Sequence, residues 1–292
     1  MATSNLTKKL IKLAAVQGAP EGISLEAFSA FIKAATPQIR SAFRDKHSTK
    51  EIFEILRSFV SDTQVRDGDR PAVYVSRHES GIHIVSHMSD QPFIVDTVLL
   101  TLRTLNLNYL AGFNLVMSIG RDANGILKSV DDPSDPLESM IFVHADGSAP
   151  ENELQTELEK RLRLAQATVS DFGSMSELVK ETANQLMRAG YENTNETNRF
   201  TEAAGFLRWL LADNFVLMGA IQGQTRLGIA KNEVSKLNDL TSLEEWESSE
   251  RIVDIRKAPS ESQVHRAGRK DEIRIQIPDA DDLNIQGLFT YR

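Results

Sequence analysis

The hydrophobic period of this chain changes at Asp67-Gly68-Asp69-Arg70-Pro71, and the change limits the folds open to it. Before this break, apolar residues recur at the spacing of helices. After it, they run in short blocks that are typical of strands. From Gly81 the predicted order is strand, helix, strand, strand, helix. That order is most of a βαββαβ unit, in which two helices cover one face of an antiparallel sheet.

Local signals support this division. Ser48, followed three residues later by Glu51, predicts a capping box at the start of a helix. Residues 72–76 and 82–87 are predicted as two strands joined by a turn. Because the last strand of the unit is absent from its expected place, we expect residues 72–76 to complete the sheet. Further strands are predicted at 110–119 and 140–144, and a tight turn at Asn124-Gly125 follows the strand at 110–119. Helices are predicted after Pro92 and Pro150.

The second half of the chain begins with more helix. The helix predicted at 199–213 is apolar nearly all round, which indicates burial between two modules. From Asn214 strands dominate, and 273–277 with 283–291 form a predicted hairpin. The sequence thus predicts an α+β protein in four segments: an N-terminal helical segment (1–66), a ferredoxin-like βαββα(β) domain (67–173), a helical connector (174–213) and a small antiparallel sheet domain (214–292).

Charge and composition exclude several classes of function. The formal net charge of -8 argues against broad binding to nucleic acid, which needs an excess of Lys and Arg. The absence of cysteine removes disulfides and thiolate-bound metals. No apolar run is long enough to cross a bilayer, and the N-terminus does not form a signal sequence. We therefore expect a soluble, cytoplasmic protein with neither nucleic-acid nor membrane partners.

Motifs for catalysis and cofactor binding are missing. There is no Gly-x-Gly-x-x-Gly turn, no Gly-x-x-x-x-Gly-Lys-Ser/Thr loop and no Gly-x-Ser-x-Gly elbow. His83 and His87 lie in a predicted strand, where four-residue spacing separates them by roughly 13 Å, too far to share one zinc. The sequence therefore predicts no catalytic residue, no metal site and no cofactor in this segment.

Two places could bind an anion. The loop that follows the strand at 82–87 leads into a helix N-terminus, where free N–H groups favour a carboxylate or phosphate. The candidate effector-binding residues are His87, Ser89, Asp90, Gln91, Phe93 and Ile94. The alternative is that Asp90 caps this helix and Pro92 starts it, without a ligand. A basic patch includes Lys257, His265, Arg266 and Arg269, and its alternative is a solvated loop.

Four stretches of the chain, taken in order, resemble the N-terminal region of large bacterial NAD-specific glutamate dehydrogenases. They are 91–98 (QPFIVDTV), 138–144 (ESMIFVH), 206–215 (FLRWLLADNF) and 257–290, which includes Val264-His265-Arg266 and ends in Gly287-Leu288-Phe289-Thr290. The resemblance implies an ACT-like domain, a module often used to sense amino acids, followed by a PAS-like domain. Many ligand-binding ACT domains have glycine after the proline of the loop, whereas this chain has Phe93.

The resemblance also implies a function. The parent enzyme would use NAD to deaminate L-glutamate oxidatively to 2-oxoglutarate and ammonia in a downstream catalytic domain. This segment would regulate that domain or assemble the enzyme as a homo-oligomer, with an amino acid as effector. Two alternatives remain: a self-contained, non-enzymatic amino-acid-sensing ACT/PAS protein, and an independent small enzyme.

Overall fold

The computed structural model describes residues 2–192, 197–231, 233, 252–254, 270–274 and 285–291. The chain divides into two compact units, residues 1–163 and 164–292. Helices and antiparallel strands occur in both, which confirms the predicted α+β class. The four-segment division of the chain stays a prediction.

The first unit opens with four helices, as the helical spacing predicts for this part of the chain. They are α1 (Ala2–Gln17), α2 (Leu25–Ala35), α3 (Ser41–Arg44) and α4 (Thr49–Asp62). The capping box before α4 is confirmed: Ser48 Oγ accepts from the Glu51 N–H, and Glu51 accepts from the Ser48 N–H. The single turn α3 was not predicted, because four residues are too few to show a helical period.

Five strands and one complete helix follow, with a second helix that continues into the next unit. The strands are β1 (Ala72–His78), β2 (Gly81–Ser89), β3 (Asn108–Arg121), β4 (Leu127–Val130) and β5 (Leu137–Asp146). Helix α5 (Ile94–Thr104) joins β2 to β3, and α6 (Glu151–Glu192) follows β5. Strand β4 was missed by the sequence analysis, because four residues between two turns carry little pattern. The tight turn before it is present, with Gly125 at φ 76°.

The strand order in this sheet is β1-β2-β5-β3-β4, with every pair antiparallel. In a βαββαβ unit the fourth strand lies antiparallel beside the first. Strand β1 takes that position beside β2, although it precedes the unit in sequence. The expectation that residues 72–76 complete the sheet is therefore confirmed.

Both faces of this sheet are covered. On one face, Phe113, Leu115 and Phe142 pack with Phe28, Phe53 and other residues of the N-terminal helices. On the other, Ile84 and Val143 pack with side chains of α5 and the first turns of α6, including Val98, Leu102, Leu154 and Leu158. In β2 and β5, alternate residues pack in one core or the other.

The second unit contains the rest of α6, α7 (Thr197–Trp209), a kinked turn (Leu210–Asn214) and a second sheet. Its described strands are β6 (Val216–Gln222), β7 (Thr225–Gly228), β8 (Ile252–Asp254), β9 (Lys270–Arg274) and β10 (Ile285–Tyr291), in the order β7-β6-β10-β9-β8. Pairing is antiparallel except between β8 and β9. The hairpin expected near the end is present as β9 and β10.

The prediction that α7 is apolar nearly all round is wrong. Phe200, Ala203, Ala204 and Leu207 are buried with residues of α6 and β6, but Glu202, Gly205 and Arg208 on other sides of the helix are exposed. The helix is amphipathic and packs in the core of the second unit. Phe206 and Trp209 widen the apolar stripe in the sequence, but both side chains are only partly buried.

Three further predictions concern this half of the chain. The sequence predicts a polar linker at 191–196 and a short helix at 240–246. Residues 191–192 are helical, and the rest of both stretches lies outside the described residues. The PAS-like character of the second sheet stays a prediction. Among the helices that the structure describes, none is long and apolar enough to span a bilayer.

Candidate regulatory site at the end of strand β2

The end of β2 brings the predicted effector residues against a buried ionic cluster. In the antiparallel register of β2 and β5, Ser89 lies opposite Glu138, and His87 lies opposite Met140. Glu138 is 1% exposed, although a carboxylate is costly to bury unless it is paired. Buried in this way, Glu138 needs partners that compensate its charge.

Two arginines neutralise Glu138. Arg121 donates from Nε to Oε1 at 2.8 Å and from Nη2 to Oε2 at 2.9 Å, the bidentate geometry that suits a guanidinium and a carboxylate. Arg66 Nη2 lies 3.3 Å from Oε1. Burial alone would raise the pKa of Glu138, but the hydrogen bonds from Arg121 and the charges of both arginines, with His87 acting in the same direction, lower it to about 2. The carboxylate is thus ionised at neutral pH.

His87 is the third neighbour of this carboxylate. Its Nδ1 lies 3.4 Å from Nη2 of Arg121 and 3.8 Å from Oε2 of Glu138. Burial lowers the pKa of His87, although Glu138 opposes the shift, so the ring is neutral at pH 7. A neutral ring with Nδ1 unprotonated accepts from Arg121. Its Nε2–H is then buried without a hydrogen-bond partner among the described residues.

Arg121 also joins the sheet to the end of α4. Its Nη1 donates to the carbonyl oxygens of Gln64 (3.0 Å) and Gly125 (2.9 Å), and its Nη2 donates to that of Thr63 (3.0 Å). One guanidinium therefore satisfies three backbone acceptors, two of them just past the end of α4, where helices leave carbonyls unpaired. The cluster holds together the N-terminal helices, the β3–β4 turn and β5.

The cluster reaches the predicted effector loop through Ser89. Its Oγ accepts from Arg66 Nη1 at 3.3 Å and donates to Asp69 Oδ1 at 2.6 Å. The next residue, Asp90, donates its N–H to the carbonyl oxygen of Leu137 at 3.0 Å. Leu137 directly precedes Glu138 on β5. The end of β2 and the start of β5 are therefore both fixed to the ionic cluster.

The start of α5 differs from the expected one. The helix begins at Ile94, and its N-cap is Phe93, which makes no side-chain cap hydrogen bond. The alternative in which Asp90 caps the helix and Pro92 starts it is therefore wrong, because the chain passes through one more turn before the helix begins. Phe93 is 46% exposed and has φ 71°, a left-handed conformation that favours glycine. In the part of the chain that the structure describes, no side chain caps this first turn.

The structure brings some of the predicted residues together and separates others. His87 and Ser89 both contact the arginines, and Gln91 follows them with its Nε2 buried and without a partner in the described part of the chain. Phe93 lies at the exposed helix start. Ile94 is 3% exposed and packs in the core on the opposite face of the sheet from His87.

The other predictions about sites have different outcomes. The basic patch of Lys257, His265, Arg266 and Arg269 lies outside the described residues. His83 and His87 lie on one strand, as expected, but in separate surroundings. Across the described ranges, no group of three or more His, Asp or Glu side chains is arranged to hold a metal ion.

Sequence reasoning missed Arg66, Arg121 and Glu138 as a unit. They are separated by 55 and 17 positions, and each is an ordinary charged residue beside a predicted strand or turn. Glu138 opens one of the four stretches that carry the family resemblance, which was a signal that this position mattered. Its partners could not be identified, because strand register decides which charges meet.

The sequence of this chain is similar to those of known proteins. The family model described as "Glutamate dehydrogenase, ACT1 domain" matches residues 41–162, from α3 to the first turns of α6. The NAD-specific glutamate dehydrogenase of Halomonas elongata is 28% identical over 158 residues, which cover 51% of this chain and 10% of that protein. The chain thus spans about a tenth of the length of this curated relative. The resemblance seen in the sequence is confirmed: residues 41–162 match the model of the glutamate dehydrogenase ACT1 domain, and the chain is similar to the N-terminal region of NAD-specific glutamate dehydrogenase.

Proposed function

We propose that this chain is a regulatory and oligomerising segment of an NAD-dependent glutamate dehydrogenase that acts in the cytoplasm. The observation that carries the proposal is the ACT1 match over residues 41–162, which covers the sheet, the effector loop and the ionic cluster together. Catalysis, which converts L-glutamate to 2-oxoglutarate and ammonia, belongs to a domain of the same polypeptide outside these residues.

NAD would be held by that catalytic domain and not here. A dinucleotide pyrophosphate needs a glycine-rich turn that lets backbone approach it closely before a helix. The turn from β2 to α5 has Gln91, Pro92 and Phe93 at the corresponding place, and the Phe93 side chain projects from the backbone there. The residues of this turn therefore do not fit the cofactor.

The effector in this proposal is an amino acid that binds between His87 and Ile94 at the start of α5. Two features support binding here. The uncapped helix N-terminus offers N–H groups to a carboxylate, and Gln91 Nε2 is a donor without a partner among the described residues. A ligand that accepted these hydrogen bonds would fix the turn at Phe93.

The signal from the loop would travel through the ionic cluster. Ser89 bonds Arg66, Arg66 pairs with Glu138, and Glu138 pairs with Arg121, which binds the end of α4. Each contact is within 3.3 Å, so a shift of the loop changes the position of the N-terminal helices. The N-terminal helices and the sheet edge at β1 are the surfaces through which the segment would contact the catalytic domain or a second copy.

The reading frame tests the parent enzyme. We expect the gene to continue past Arg292 into a region with a dinucleotide-binding turn, and the whole product to reduce NAD with L-glutamate and to elute as a homo-oligomer. A stop codon directly after Arg292 would contradict the proposal and favour the self-contained sensing protein.

Calorimetric titration tests the effector. The full chain is titrated with each common amino acid, together with a Gln91→Met variant that keeps the size of the side chain and removes the amide. We expect heat with one amino acid or a few, and weaker binding by Gln91→Met. A matched control is Glu177→Gln, on the exposed side of α6. No heat with any amino acid would end the effector proposal for this chain.

A further inference from the structure

Four of the six histidines of the chain gather at the other end of the same sheet face. They are His47, His78, His83 and His144, called here the histidine cluster. His83 on β2 lies opposite His144 on β5 in the strand register, and their ring centroids are 5.0 Å apart. The ring of His78, at the end of β1, lies 4.2 Å from that of His83. On this face, side chains of β2 and β5 pack with the N-terminal helices, whereas His78 at the sheet edge is exposed.

Aromatic contacts connect the histidine cluster to α3. The ring of His83 lies 5.1 Å from that of Phe142, and Phe142 lies 6.0 Å from Phe43 of α3. His47, which follows α3, stacks on Phe43 at 4.2 Å. The single turn α3 is thus held on the sheet through a row of rings that ends at a titratable group.

The histidine cluster contains little to neutralise a positive charge. The groups that act on the charge of His83 are His78, His144 and His47, and none of them is a carboxylate. Asp62 of α4 acts on His78. Glu51, also of α4, acts on His47. The hydrogen-bond partners are neutral: His144 Nε2 lies 2.8 Å from the carbonyl oxygen of Ser80, and His78 Nε2 lies 3.1 Å from Ser76 Oγ. A proton on His83 would therefore meet imidazoles on three sides.

We propose that the histidine cluster is a pH-sensitive contact, in which protonation of His83 loosens the packing of α3 on the sheet while the Arg121–Glu138 pair holds the end of α4. This device is independent of the effector site, because neither His83 nor its neighbours line that loop. It gives the segment a response to mild acid that is confined to one end of the N-terminal helices.

The direction of the effect follows from the two states of His83. Burial first, and then the charges of the other histidines, lower the pKa of His83 from 6.5 to about 4. Once the contact opens, the ring regains its ordinary value. The open form thus binds more protons between pH 6.5 and pH 4, so the closed contact is strongest above pH 6.5 and weakens as the pH falls toward 4.

Thiol labelling of the full chain tests this contact, because the chain has no cysteine of its own. Single cysteines replace Ile39, which precedes α3, or Val60, near the end of α4, and both positions are 1% exposed. The readout is the ratio of the two labelling rates at each pH, so the intrinsic pH dependence of the thiol cancels. From pH 7.5 to pH 5.5 we expect this ratio to rise about tenfold, the factor by which protonation favours the open form.

His83→Phe decides whether the histidine cluster is responsible. In this background the ratio should stay constant with pH, because the ring at position 83 no longer titrates. His83→Gln serves the same purpose if the phenylalanine variant does not fold. A constant ratio in the wild-type chain, or an equal rise in a folded His83 variant, would overturn the proposal.

Discussion

Arg121 and Glu138 form a bidentate ion pair between neighbouring strands, with Nε 2.8 Å from Oε1 and Nη2 2.9 Å from Oε2. The carboxylate is 1% exposed and also pairs with Arg66, so one negative charge is the shared counter-ion of two guanidinium groups. Because Arg121 also binds carbonyl oxygens at the end of α4, the pair holds the sheet and the N-terminal helices together. The stability of the first unit should therefore depend strongly on this one carboxylate.

Glu138→Gln should lower the free energy of unfolding by about 3 kcal/mol, because removal of one partner leaves buried charges uncompensated. The matched control is Glu157→Gln, which breaks the partly exposed pair with Arg161 on one face of α6 and should cost at most about 0.5 kcal/mol. Urea unfolding followed by circular dichroism measures both. Equal losses in the two variants would contradict a structural role for the buried pair.

Acid should weaken the first unit through the same residue. The pKa of Glu138 is lowered from 4.5 to about 2 in the folded chain. The unfolded chain therefore binds more protons between these values, so this contribution is complete above pH 4.5 and is lost as the pH falls toward 2. Unfolding measured at pH 5, 4 and 3 should show a steep fall in the wild type and a shallower one in Glu138→Gln. Parallel curves would show that Glu138 does not titrate as described.

The helices and strands of the first unit could be predicted from the sequence, because the spacing of apolar residues and the residues that end an element are local features. The break near Gly68, the capping box at Ser48 and the hairpin of β1 and β2 all follow from neighbouring residues. The position of β1 in the sheet was also predictable, since a four-stranded antiparallel unit with one strand missing offers a single vacant place beside β2.

The candidate site was predicted only in part, because its charges meet through register and tertiary packing. His87 and Ser89 were identified from the loop that follows them, whereas Arg66 and Arg121 joined the site only once the strands were aligned. The start of α5 was placed too early, since Asp90 and Pro92 are typical cap residues but the chain turns once more at Phe93. Tertiary contacts override such local preferences when the loop ends are fixed elsewhere.

Phe93→Gly should raise the free energy of unfolding slightly, by about 0.5–1 kcal/mol. The residue has φ 71°, where a side chain strains the backbone and glycine does not, and its ring is only half buried. The control is Leu100→Gly on α5, also about half exposed, which should cost about 1 kcal/mol because glycine is unfavourable inside a helix. Thermal unfolding should move the two melting temperatures in opposite directions. A loss of stability in Phe93→Gly as large as in Leu100→Gly would show that the ring makes contacts that outweigh the strain.

Gly125→Ala should disrupt the junction between the β3–β4 turn and the segment after α4. A Cβ atom at this position would lie 1.8 Å from the carbonyl oxygen of Arg66, and the residue already has φ 76°. The backbone must move, which breaks the bond from the Arg66 N–H to the Gly125 carbonyl and displaces Arg66 from Glu138. Gly18→Ala separates the two causes, because Gly18 has φ 81° but no atom near its Cβ position. Strain alone should cost that variant about 1 kcal/mol, whereas Gly125→Ala should cost more than about 2 kcal/mol in urea unfolding. If the two alanine variants lose the same stability, the close approach of Arg66 to Gly125 contributes nothing beyond backbone conformation.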